Sequence, residues 1–380
     1  MVGAAMEVTI TPQNQIVFTH TSQGEDRFTV ALQRTLRLPE DGKAHALPPS
    51  LGHFPIKRID DYRSRVPVAW RQHGGVFFPM WQREAMWLSF NSSRRPFAVK
   101  VAAGKRNAVS GQDWSQELAP SQATGSGDPR QDYMVAPPQQ WLDGFNTGQG
   151  TVEQFVSMPL GMGYTVEGQV TGKEDVGGIQ ILALPPKDGL LMPILRRSPI
   201  TRSRLIGSSS PTGLYSSVSV NSLSASSLDS SSLRSVMEIS EAGLLKGAEM
   251  GLAKGGTMTQ KIYPDTHGID TWFQGASGRI FIHIVNSELY EQITGEKPPR
   301  SPITAQHYTA QGYPWFKLWD DEMGDVSKST TLGSVKTVGG MDAQHGFKGQ
   351  QDDSPIHETN VVSTGTIQPG HTLVKDGAEW

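Results

Sequence analysis

The chain has 380 residues, a formal net charge of −3 at pH 7 and no cysteine. The small net charge gives no electrostatic footprint of a nucleic-acid binder, and the missing cysteines exclude disulfides, thiolate metal sites and cysteine nucleophiles. Its apolar runs are strand-length, short of the roughly 18 residues that a membrane-spanning helix needs, and the first eight residues lack the basic and apolar regions of a secretory signal, so the expected setting is cytoplasmic without membrane insertion.

Three short strands open the chain. Glu7–Thr11 alternates polar and apolar residues, Gln15–Thr19 follows an Asn/Gln turn, and Phe28–Leu32 comes next, a spacing that suits a meander. Residues 39–58, with Pro39, Asp41-Gly42, Pro48-Pro49 and Pro55, read as a long connection. Between Gly74 and Phe90 the spacing of Trp81, Glu84, Ala85 and Leu88 predicts a helix, with Pro79 in its first turn. Phe97–Ala102 reads as a strand. Over 151–184 the shared parity of Tyr164, Val166 and Val170 predicts a half-buried strand, followed after Gly177-Gly178 by Ile179–Leu184. Met258–Tyr263 and Arg279–Val285 are two further strands, and Ser287 to Gly295 frames a short helix.

Nearly every second or third residue is serine across 198–235, too little apolar surface to offset the entropy of ordering the segment. Composition therefore predicts one discontinuous body from residues 1–190 and 240–319, a disordered serine-rich insertion at 196–238 and a flexible tail over 320–380. The expected fold is α+β and β-rich, with antiparallel sheets, a few short helices and a sandwich- or barrel-like form.

Standard catalytic signatures fail on residue identity: Gly104-Lys105 lacks the opening glycine and closing Ser/Thr of a P-loop, and Val166 stands where a third dinucleotide-binding glycine belongs after Gly161-Met-Gly163. Asp265, His267 and Asp270 supply oxygen and imidazole ligands at loop spacing, but the same residues make an ordinary polar turn, which is the expected reading, and no cofactor is predicted. His283, inside a strand, is a candidate general base. Trp70, Trp81, Trp87, Tyr133 and Trp141 are candidate aromatic ligand contacts, with Glu84, Asp143 and Glu167 as the acids near them; the alternative for the aromatics is core packing. Ser198 and Ser203 sit beside arginines, a setting in which added phosphate could form charge-assisted pairs.

The stretches Arg34–Lys43, Phe78–Leu88, Gln131–Tyr133, Trp141–Gly144, Met158–Gln169 and Tyr313–Phe316 resemble an uncharacterised family of bacterial and filamentous-fungal proteins, sometimes labelled integral membrane proteins, over most of residues 27–319 outside the serine tract. That resemblance implies no established activity, cofactor or catalytic residue. The leading functional expectation is a non-enzymatic binding or interaction protein with an aromatic surface or groove, taking a protein or glycan ligand and regulated through the serine tract. The alternatives are an enzyme acting on a polar polymer such as a glycan through paired carboxylates, and a self-assembling structural protein.

Overall fold

The computed structural model describes residues 6–21, 26–119, 131–148, 150–188, 249–317, 324–347, 355–358 and 361–363. The serine-rich tract, with Ser198 and Ser203, lies outside them.

Seventeen strands and six short α-helices are described. The N-terminal half comprises β1 (Glu7–Ile10), β2 (Gln15–His20), β3 (Asp26–Thr35), β4 (Lys57–Arg58), α1 (Val68–His73), β5 (Val76–Met80), β6 (Ala85–Ser92), β7 (Phe97–Ala103), β8 (Arg106–Asn107), β9 (Met134–Ala136), β10 (Trp141–Leu142), β11 (Gly144–Gly148), β12 (Thr151–Pro159), α2 (Val166–Thr171) and β13 (Ile179–Leu184). Then follow β14 (Glu249–Thr259), β15 (Gly278–Asn286), α3 (Ser287–Thr294), α4 (Ala305–Ala310), β16 (Trp315–Lys317), α5 (Thr330–Ser334), α6 (Val338–Gln344) and β17 (Val361–Ser363).

Fifteen strands form one largely antiparallel sheet whose main path is β1-β2-β3-β6-β12-β14-β15-β13-β7-β8, with β5 alongside β15 as a parallel partner. Alternate residues explain why it curls. Ile16 and Phe18 of β2, Phe28 and Val30 of β3, Met86 and Leu88 of β6, Val99 and Val101 of β7 and Ile280 and Ile282 of β15 all enter one core, so one face of the sheet wraps round a single apolar interior. Phe28 of β3 stacks on Phe97 of β7 at 5.4 Å although these strands stand far apart in the pairing order. The fold is therefore the expected β-rich α+β type.

The opposite face is also largely covered. Trp70, Phe77, Val285 and Tyr290 pack beneath α1 and α3; Tyr133, Leu182 and Trp272 form a second cluster; Ala85, Val156, Met158 and Ala253 form a third with Tyr164, Val338 and Met341.

Two expected elements change type. The helix predicted within 74–90 is β5, a turn and β6: Glu84 N–H closes the turn onto Trp81 O, and Met86, Leu88 and Phe90 point to the core while Ala85 and Trp87 are buried on the other face. A strand buried on both faces loses its alternation, and the remaining apolar spacing imitates a helix. Conversely, the strand predicted through Tyr164–Val170 contains α2, where the Thr165 hydroxyl accepts from Gly168 N–H and Gly172 closes the end in the left-handed conformation at φ +71°. The helix expected from Ser287 is present, with Asn286 as its N-cap and Gly295 at its C-terminus.

The tail boundary also moves. Residues 326–342 include Val326, Leu332, Val335, Val338 and Met341, all buried, and Val361–Ser363 pairs in parallel with Trp315–Lys317. Apolar residues spaced through a polar, glycine-containing stretch hide this from composition, because each one finds its partner on a distant strand.

Candidate functional site

The segment from Gly324 to Phe347 lies across the body as a strap, held both by body side chains that bond its backbone and by its own Asp325, Ser329 and Asp342, which bond the body. Neither α5 nor α6 is self-sufficient: they have five and seven residues and contain Gly333, Gly339 and Gly340. Helices this short and glycine-rich are marginal alone. The groove beneath supplies their stability.

The groove's floor is β6, β12 and β14. Ala85, Val156, Met158 and Ala253 form an apolar patch that receives Val338 and Met341. Lys254, in the middle of β14 and 2% exposed, donates through Nζ to Leu332 O and Val335 O, each at 2.7 Å, and pairs with Glu153. Burial, reinforced by nearby Lys328, pushes that ammonium down to about 8, while the Glu40 carboxylate favours the charged form.

From α2, the Gln169 amide reads both backbone groups of one strap residue: its Nε2 donates to Lys336 O at 3.0 Å and its Oε1 accepts from Lys336 N–H at 2.9 Å. Glu40, held by Arg37, accepts from Gly339 N–H at 2.6 Å.

Asp342 is the most heavily recognised side chain of the strap. Arg83 reaches its two oxygens with two nitrogens, at 3.3 and 2.5 Å, and the Tyr164 hydroxyl donates to Oδ1 at 2.8 Å. Burial opposes ionisation, yet the hydrogen bonds from Arg83 and Tyr164 hold the Asp342 carboxyl below its usual range. Tyr164 is pushed up to about 12, by burial and then by donating to Asp342, so it stays a donor. Arg83 sits at φ +69°, a left-handed conformation uncommon for a side chain of its size; its N–H is tied to Ser157 O at 2.8 Å. The His345 ring meets the Tyr164 hydroxyl at 3.3 Å.

Two glycines mark where the strap passes close. A Cβ at Gly111 (φ +73°) would lie 2.8 Å from Ser329 Oγ and 2.9 Å from Leu332 Cγ, and one at Gly148 would run into the Lys328 backbone. Further along, His45 clamps the chain: its two ring nitrogens lie 3.0 Å from Glu358 and 3.0 Å from Asp41, and Ala46 N–H donates to the same Glu358 oxygen. Burial alone would lower the His45 pKa, but the two carboxylates outweigh it and raise it. Water-sized space remains beside the strap: a cleft of about 450 Å³ runs between Gly163–Val170 and Thr331–Gln344, and one of about 390 Å³ lies between α4 and Pro355–His357.

The residues singled out from sequence disperse. Trp70, Trp87 and Tyr133 are buried, while Trp81 and Trp141 are half-buried, with Trp81 Nε1 donating to Pro299 O. Core packing accounts for the buried three. Glu84 takes two bonds from Arg34 and one from Trp81 N–H, and burial still raises its pKa. Asp143 is buried beside Gln260, which accepts from its backbone N–H. Glu167 lies against Gly104, and burial pushes it up to about 7. Each of the three acids is held by different neighbours: Arg34 and Trp81 for Glu84, Gln260 for Asp143 and Gly104 for Glu167.

His283 stacks on Trp70 at 4.7 Å, with one ring nitrogen 3.2 Å from Gly74 O and the other 3.7 Å from Glu249. Asp265 accepts from the Tyr133 hydroxyl, the Trp272 indole and His267 N–H, while Asp270 lies in the short helical turn 269–271 that follows. The bond from His267 N–H to Asp265 and the helical turn Ile269–Thr271 make this a polar turn; among the described residues no group of three or more His, Asp or Glu side chains that could hold a metal ion is found.

Sequence reasoning missed Lys254, Gln169, Asp342 and the role of Arg83. The nearest signal was that Arg83, Tyr164 and Gln169 fall inside Phe78–Leu88 and Met158–Gln169, two of the stretches singled out from sequence, whereas Asp342 lies beyond all of them.

These features describe a β-rich protein with a polar groove that its own C-terminal segment fills. No family model, curated protein or solved structure matches the chain. Among the described residues no helix is long and apolar enough to cross a membrane.

Proposed function

We propose that this chain is a non-enzymatic binding protein whose groove accepts a segment of polypeptide, and that residues 327–345 occupy the groove in cis. The observation that carries this reading is Gln169, whose amide pairs with both backbone groups of Lys336. A side chain that reads a peptide unit in this way is independent of the sequence it reads, as peptide grooves require. Lys254 and Glu40 add backbone recognition. The apolar patch under Val338 and Met341 supplies burial energy.

The test is to open the groove in the full chain with the pair Val338→Asp and Met341→Asp. Near-UV circular dichroism should keep the signal of the tryptophans buried in the body, and a labelled peptide of residues 327–345 should bind the opened chain with at least tenfold higher affinity than the unaltered one. Loss of body structure together with the strap, or no binding in trans by a folded opened chain, would refute the proposal.

A further inference from the structure

We infer that the groove selects a partner segment by a short chemical pattern: two aliphatic side chains three positions apart, with a carboxylate directly after the second. This rests on the groove reading above. Val338-Gly-Gly-Met341-Asp342 presents that pattern in cis, and each part meets a different kind of surface.

The aliphatic pair enters the patch where β6 and β14 contribute only Ala85 and Ala253, with Val156 and Met158 between. Small residues there leave depth for a branched or unbranched side chain, and no hydrogen bond fixes which. The acid is read differently. Arg83 engages both carboxylate oxygens while Tyr164 adds a third bond, a planar fork matched to a planar anion. Its placement is rigid because the turn that carries Arg83 is pinned to Ser157 O, and Tyr164 is 2% exposed. A neutral amide offers the guanidinium one acceptor and presents an NH2 to donors. The groove therefore distinguishes Asp from Asn at that position, and the register between acid and apolar pair is set by one turn of helix.

An exchangeable partner requires that the cis segment be replaceable. Thr330–Ser334 and Val338–Gln344 are short helices with interior glycines, joined to the sheet by side-chain bonds and a single isolated bridge, Lys254 to Thr337. One open cleft flanks them. Burial of Leu332, Val335, Val338 and Met341 also holds the segment, so a partner that displaces it must replace those apolar contacts as well as the bonds. The body keeps a continuous sheet beneath it.

The experiment uses the full chain opened by Val338→Asp and Met341→Asp, with Asp342→Asn alone as a second opened form that keeps both aliphatic side chains. Labelled peptides of residues 327–345 are titrated by fluorescence anisotropy: the natural sequence, its D342N form and a form with serine at both aliphatic positions. The natural peptide should bind about 10- to 100-fold more tightly than D342N, the range expected when a charge-assisted pair is replaced by a neutral contact. The serine form should lose at least as much. Arg83→Met in the opened chain should bring the Asp and Asn peptides together. Equal binding of the Asp and Asn peptides to the opened chain would overturn the selection rule while leaving the groove intact; failure of every peptide would instead strike the groove reading. A doubled mass of the unaltered chain by light scattering, abolished by the opening substitutions, would assign the groove to a second copy of this chain and overturn the inference of a separate partner.

Discussion

Replacing Asp342 by Asn in the full chain keeps the size of the side chain and removes the charge that Arg83 and Tyr164 share. The Arg83 and Asp342 side chains are 17% and 7% exposed, so the pair is neither a surface bridge nor fully dry. Hydrogen bonds to charged groups contribute about 1.5–3 kcal/mol each, and breaking a fully buried pair costs about 3–5 kcal/mol. Water reaching the partly exposed guanidinium offsets some of that, leaving about 2–3 kcal/mol. At about 1.4 kcal/mol per tenfold, opening of the strap should rise roughly 30- to 150-fold. Native-state hydrogen exchange reads this directly: Met341 N–H, bonded to Thr337 O, and His345 N–H, bonded to Met341 O, should exchange faster, while amides of β7 and β13 stay unchanged. The unaltered chain should lose the same protection in acid. Asp342 titrates below its ordinary 3.8, so its contribution is full above that value and disappears as pH falls through the lowered one. Unchanged exchange at Met341 and His345 would show that the pair carries no weight. Equal acceleration in β13 would show that strap and sheet open as one.

The His45 clamp has its own pH window. A raised imidazole pKa stabilises fully below 6.5 and fades as pH rises through the higher folded value, whereas Glu358, lowered from 4.5 by its bonds to His45 and Ala46 against the effect of burial, stabilises above 4.5 and fades in acid. The Ala46 amide resonance should therefore report a docked Glu358 between those limits and a released one at alkaline pH, with Lys43 and Lys317 as the nearby cations; a flat profile from pH 5 to 9 would contradict the clamp. Beyond the cost of its positive φ, Gly111→Ala should destabilise the chain by about 1–3 kcal/mol in thermal unfolding, because the new methyl group meets Ser329 and Leu332. Gly172→Ala, also at positive φ but facing open space, should cost only about 1 kcal/mol, and equal losses at the two sites would remove the argument that Gly111 makes room for the strap.

Local pattern reached far into this fold but stopped where burial became two-sided. The opening meander was legible because β2 buries alternate residues and leaves the others half-exposed. Ser287–Thr294 was legible from a polar cap and the stop at Gly295, although the cap is Asn286, one residue before the expected Ser287. Ala85–Ser92 was not, since burial on both faces makes Ala85, Met86, Trp87 and Leu88 apolar in succession. The caps of Val166–Thr171, Thr165 and Gly172, were present in the sequence but were outweighed by a two-residue alternation that Val166, Glu167 and Val170 happen to satisfy.

The candidate site was the least legible part. Composition pointed to tryptophans and exposed acids, and the fold spends most of those on packing and on bonds such as Arg34 to Glu84. The residues that read the strap are one lysine, one glutamine, one arginine and one tyrosine, none remarkable in its local stretch. Lys254 lies 78 positions from Leu332, Gln169 lies 167 from Lys336, and Arg83 lies 259 from Asp342.

By itself the sequence determined the β-rich class, the absence of cysteine chemistry and the positions of β1, β2, β3, β7, β13 and β15, because these follow from local periodicity and turn residues. Tertiary structure alone decided that Gly324–Phe347 belongs to the body and that a groove lies beneath it. The physical reason is that Val338, Met341 and Asp342 are worth nothing to a free chain: their burial and charge pairing exist only once β6, β12 and β14 have assembled into a surface that fits them.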